Sequence, residues 1–129
     1  MQTKKQLLMN EIYDELVKLN NFVLEIRKDF LLGESTTAEY ASYIILCIKR
    51  LNILTKVFEN LDLAADEDCV AEFIELKNKL QSALQQMKKH AGTATDTNAQ
   101  ITCKVLLKSF KERYGKYLTD EEYEDAITF

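Results

Sequence analysis

The chain has no proline at any of its 129 positions, and glycine occurs only at Gly33, Gly92 and Gly115. All-β and α/β folds turn many corners and use these two residues to do it, so their scarcity excludes such folds and leaves long, seldom interrupted helices. Histidine occurs once, at His90. A catalytic nucleophile needs a base and usually a third group that orients it, and a lone imidazole in a Lys88-Lys89-His90 run is poorly placed for that work. The same three positive side chains suit the negative end of a helix dipole. No two glycines are close together, so the glycine-rich loops that cradle phosphates are excluded. The longest unbroken apolar run, from Tyr43 to Ile48, is far shorter than the roughly 20 residues that span a bilayer. The opening Met1-Gln2-Thr3-Lys4-Lys5 leads into a charged amphipathic segment instead of the apolar core of a signal peptide, so a cytoplasmic protein is expected.

Cysteine is also sparse. Cys47, Cys69 and Cys103 are odd in number and widely spaced, and each falls in an apolar helical pattern, which predicts free, buried thiols in a reducing compartment. Zinc ligation would require closer pairs and more histidine. What the chain does have is 47% hydrophobic and 29% charged residues, enough apolar side chain for one packed core.

Four Thr residues are followed three positions later by Glu or Gln: Thr3 and Gln6, Thr36 and Glu39, Thr97 and Gln100, Thr119 and Glu122. In that pattern two side chains reciprocally satisfy orphan amides at a helix start. The last pair also has Leu118 and Tyr123 placed as a hydrophobic staple. With Leu8, Ile12, Leu16, Leu19, Val23, Ile26 and Phe30 at steps of three and four, a first helix is predicted over 3–32. A second runs over 36–61 through Tyr40, Ile44, Cys47, Leu51, Leu54 and Phe58, and the short link between them requires an antiparallel hairpin. A third is expected from Asp66, where Asp66, Glu67 and Asp68 would complement the positive helix start, to His90. After a polar loop over 93–96, a fourth reaches Tyr114 with Cys103, Leu106, Leu107, Phe110 and Tyr114 inward, and a short fifth covers 120–127. Each glycine follows a periodic segment, where a left-handed residue would end the helix. The fold expected is all-α, an antiparallel bundle of four main helices with a short C-terminal fifth, in one domain over 1–129.

Acidic pairs one turn apart, Glu11 with Glu15 and Glu72 with Glu75, raise a metal-dependent hydrolase as a remote alternative. The Glu-x-x-His partners of di-iron bundles are missing, and so is any second acidic motif of the kind that holds magnesium in bundle-type nucleotide pyrophosphohydrolases, so a solvated face explains these carboxylates. No metal, no cofactor and no catalytic residue is assigned.

Charge falls in blocks despite a net of only −4. Positions 57–76 hold seven acidic residues and no Lys or Arg, whereas 88–118 hold seven basic residues and two acidic ones. Lys104, Lys108 and Lys111 share one side of the fourth helix, with Arg113 and Lys116 close behind. That stripe could contact phosphates or an acidic partner, and the acidic pI near 5.1 argues against a dedicated nucleic-acid binder. Ile101 and Val105 lie toward the lysines, and the acidic fifth helix, with Tyr123, Ile127 and Phe129, is expected to fold back over that mixed face.

The first hairpin has more apolar surface than one seam requires. The second helix carries Tyr43, Leu46, Ile53 and Val57 beside its main stripe, an apolar arc of roughly 200° or more. The first carries Tyr13, Val17, Leu24 and Leu31 about 120° from its own. Tyr13, Val17, Leu24, Leu31, Tyr43, Leu46 and Ile53 are therefore the candidate protein interface. The function expected is a non-catalytic interaction module, an adaptor, inhibitor or helical subunit, engaging another protein or a second copy of itself as a homodimer. The alternative is a subunit that contacts RNA or DNA backbone through the basic face.

Overall fold

A computed structural model describes residues 2–92 and 96–128. Five helices follow in order: α1 (Lys4–Leu31), α2 (Thr37–Leu61), α3 (Val70–Ala91), α4 (Thr97–Tyr114) and α5 (Asp120–Ile127), with a 3-10 turn over Gly115–Tyr117 between the last two. Among the described residues there is no strand.

Three of the four expected capping boxes form. At the start of α1 the Thr3 hydroxyl accepts from the Gln6 amide at 3.2 Å and Gln6 Oε1 accepts from the Thr3 amide at 2.9 Å. Thr36 with Glu39 and Thr119 with Glu122 repeat the exchange before α2 and α5. The fourth does not form. Asp96 Oδ1 accepts from the Ala99 amide at 2.8 Å, so the carboxylate one residue earlier takes the cap and Thr97 becomes the first helical residue.

The third helix begins four residues later than expected. Asp66, Glu67 and Asp68 lie in turns, and Cys69 precedes Val70 with φ of 69°, a left-handed value uncommon for a side chain with a Cβ. Tertiary contacts explain the delay. Gln6 Nε2 donates to Glu67 Oε2 at 2.8 Å, and the Cys69 thiol donates to Asn10 Oδ1 at 3.4 Å, so this turn is tied to the first turns of α1. Gly33 and Gly92 have φ of 75° and 73° and close α1 and α3 as expected. Gly115 does not: its φ is −59°, and the backbone tightens there into the 3-10 turn.

Phe30 stacks on Tyr40 at 4.1 Å between ring centroids, and Phe22 meets Tyr43 edge-on at 6.1 Å, so α1 and α2 run antiparallel. Phe58 stacks on Phe73 at 4.4 Å and reverses the direction again into α3. α4 then runs alongside α2 in the same direction, because Cys103 meets Ser42, Arg50 reaches Leu106, and Asn60 reaches Tyr117. The four long helices alternate up and down, with α2 in the middle touching α1, α3, α4 and α5. That position is why α2 is apolar on most of its circumference.

One core runs through the molecule, from Met9, Ile12 and Leu16 on α1 through Ile44, Cys47, Ile53 and Leu54 on α2 to Phe73 and Leu80 on α3, Phe110 and Tyr114 on α4 and Tyr123 on α5. Each such side chain, fully buried, adds about 1.5 to 3 kcal/mol of hydrophobic stabilisation. α5 is anchored by polar contacts as well: Asn52 Nδ2 donates to the Ala126 carbonyl at 3.0 Å, and Lys56 pairs with Glu122 at 3.8 Å. Among the described residues no helix is long and apolar enough to cross a membrane.

Candidate interaction surface

The five basic residues predicted as one face are divided by the fold. α4 packs on α2 through Phe110 and Tyr114, so the turns that carry Lys104 and Lys108 point to solvent, and neither has an ion-pair partner among the described residues. Lys111 instead lies over the ring of Tyr123 on α5, 4.7 Å from its centroid. Lys116 lies 5.3 Å from the Tyr117 ring. Arg113 turns toward α1 and pairs with Glu15, while its Nη2 donates to the Tyr114 hydroxyl at 3.4 Å. All five stay exposed, but three of them also make contacts within the chain, and Lys104 and Lys108 do not among the described residues.

Ile101 and Val105 remain exposed beside those two lysines, at 56% and 63% of their full accessibility. α5 does not cover them. It packs along α2 near Asn52, Lys56 and Asn60, and Phe129 lies outside the described residues. The outer face of α4 therefore alternates apolar and basic side chains one turn apart: Ile101 with Val105, and Lys104 with Lys108.

Next to this face a cavity of about 340 Å³ opens between α2 and α4. Ile45, Leu46, Cys103 and Leu107 supply its apolar and sulfur surface, and Lys49 and Lys104 bring a positive charge from each helix. The Cys103 thiol donates to the Ser42 carbonyl at 3.6 Å, and burial raises its pKa against the opposing pull of Arg50 and Lys49. It is half-buried, as is Cys69, so only Cys47 meets the expectation of a buried thiol, its pKa pushed up by burial to about 12.

The hairpin interface is divided too. Leu46 and Ile53 are 2% and 0% exposed, because the central α2 uses its second apolar row on its own neighbours; Ile53 is closed off in the core, and Leu46 is reached only through the cavity between α2 and α4. Tyr43 is half-buried against Phe22, and Tyr13 is half-buried against the core. Val17, Leu24 and Leu31 do face solvent, increasingly toward the end of α1, at 36%, 57% and 72%.

The polar centre that sequence reasoning missed lies on the opposite edge of α4. Glu15, only 9% exposed, contacts both Arg113 and Lys18, the latter at 3.8 Å. Arg50 lies 5.1 Å above the Phe110 ring and donates through Nη2 to the Leu106 carbonyl at 3.3 Å. Burial raises the Tyr114 hydroxyl far above its ordinary pKa, and the Glu15 charge adds to the effect. The only sequence signal was Glu15 beside the apolar stripe of α1. Among the described residues no three His, Cys, Asp or Glu side chains converge as a metal site would require.

Comparison of the chain with protein-family models, with curated protein sequences and with solved structures finds no match in any of the three.

Proposed function

We propose that this chain is a non-catalytic interaction module that docks an acidic, amphipathic segment of another protein against α4. The observation that carries this reading is the adjacency of an apolar cavity, with Lys49 and Lys104 beside it, to an exposed strip of Ile101, Val105 and Lys108. A helix with Leu or Phe on one side and Asp or Glu beside it has the complementary pattern: an apolar anchor for the cavity, and carboxylates for the lysines. Nucleic acid is the weaker alternative, because Lys111, Arg113 and Lys116, though exposed, are engaged by partners within the chain, and the two uncommitted lysines neutralise too few phosphates for firm backbone binding. Free thiols in a cytoplasmic setting accord with such a role.

Titrating the full chain with a labelled peptide of about 20 residues, carrying Leu and Glu at helical spacing, tests the reading. Binding is expected, and both Lys104→Glu with Lys108→Glu and Val105→Asp should weaken it about tenfold or more. Absence of binding, or indifference to these substitutions, overturns the proposal, as does tighter binding of a duplex oligonucleotide with a steep salt dependence. Concentration-dependent self-association abolished by the same substitutions would also overturn it, by assigning the face to a second copy of the chain.

A further inference from the structure

On the other edge of α4, between α1, α2 and α4, a second cavity of about 200 Å³ is lined by Glu15, Lys18, Phe22, Arg50, Phe110 and Arg113. Three cations surround one carboxylate, so its walls carry a net charge of about +2, which is costly where two of the charges are drawn from water. Arg50 shows the imbalance most clearly. Its guanidinium is half-buried, and burial lowers its pKa against the support of the Glu15 charge, while the Arg113 charge adds a smaller push in the same direction as burial. Its Nη2 has the Leu106 carbonyl, yet its buried Nε has no acceptor among the described residues.

The Phe110 ring beneath Arg50 holds the planar fork in place, and Phe22 supplies a second aromatic wall. A pre-set guanidinium fork matches two oxygens of a carboxylate or phosphate. Glu15 already shows an oxyanion in contact with Arg113 and Lys18, and that carboxylate leaves Arg50 short of a partner. The cavity has room for roughly six water-sized groups, enough for one oxyanion and a small body.

We propose that this cleft binds a small-molecule oxyanion, a phosphate or a carboxylate, between Arg50 and Arg113, with Lys18 closing over it and Glu15 acting as the internal competitor. Lys18 suits that role because its side chain is 72% exposed and its contact with Glu15 is long at 3.8 Å. The geometry is independent of the α4 outer face and uses none of its residues.

Calorimetric titration of the full chain at low ionic strength, with inorganic phosphate in one arm and benzoate in the other, tests it. Binding of phosphate identifies a phosphoryl ligand, and binding of benzoate alone identifies an aromatic carboxylate; either supports the site. Glu15→Gln removes the competing charge while keeping the side-chain volume, so affinity should rise about fivefold to tenfold. A merely structural Glu15 would not produce that gain. Lys18→Ala is exposed enough to leave folding intact and should weaken binding about threefold to fivefold. No heat with either probe at millimolar concentration, or binding indifferent to both substitutions, overturns the proposal.

Discussion

Replacing Glu15 and Arg113 singly and together by Gln tests how the α1–α4 contact is held. The Glu15 side chain is 10% exposed and that of Arg113 is 48% exposed, so the pair lies between two regimes. Exposed pairs contribute about 0.2 to 1 kcal/mol, and removing one partner of a fully buried pair costs about 3 to 5 kcal/mol. A coupling energy of about 1 to 2 kcal/mol is therefore expected from the double-mutant cycle. The single changes should be unequal. Without Glu15, Arg50 and Arg113 face each other uncompensated; without Arg113, Glu15 still has Lys18 and the Arg50 charge, and water reaches the vacated position. Glu15→Gln should thus cost about 2 kcal/mol and Arg113→Gln about 1 kcal/mol. Urea unfolding followed by circular dichroism measures both, and an unchanged m-value would show that the unfolded state is not the source. A coupling below about 0.3 kcal/mol, or a larger loss from Arg113→Gln, would refute the reasoning.

Two further outcomes are expected. Asp62 ends α2 with φ of 48° and ψ of 50°, placing a negative charge in a left-handed conformation at the negative end of the helix; Asp62→Asn tolerates the same backbone without the charge and should stabilise the chain by about 0.3 to 1 kcal/mol in urea unfolding. For Cys47, the folded pKa is raised from 9.0 to about 12, so the unfolded state releases its proton first; stability present below pH 9 is lost as pH rises toward 12, and Cys47→Ala should flatten that decline in unfolding measured at stepped alkaline pH.

The helices were legible because their signals are local. A Thr and the Glu or Gln three positions on decide a helix start within one turn, and Thr3, Thr36 and Thr119 do so here. At Asp66 the same kind of local reading failed, since Gln6 and Asn10, far back in the chain, hold the turn at Glu67 and Cys69. The burial of Leu46 and Ile53 was not legible, because a wide apolar arc marks either a central helix or an interface, and only the positions of α1, α3, α4 and α5 distinguish the two. The lysine spacing on α4 was visible in sequence. The diversion of Arg113 and Lys111 was not, because their partners Glu15 and Tyr123 lie on other helices and obey no periodicity shared with α4. Arg50 carried no signal at all, since a lone Arg on an apolar helix gives no hint of the ring beneath it.

The central place of α2 bears on how the chain is made. When Leu61 has been synthesised, α1 can already pair with α2, but the faces of α2 that meet α3, α4 and α5 have nothing to rest on. At typical ribosomal speeds the stretch from Asp62 to the end of α5, about 65 residues, takes roughly 3 to 13 seconds to emerge, during which Leu46, Ile53 and Val57 stay wet. The nascent hairpin is thus a sticky object, and binding by a general chaperone during translation would protect it until α4 arrives.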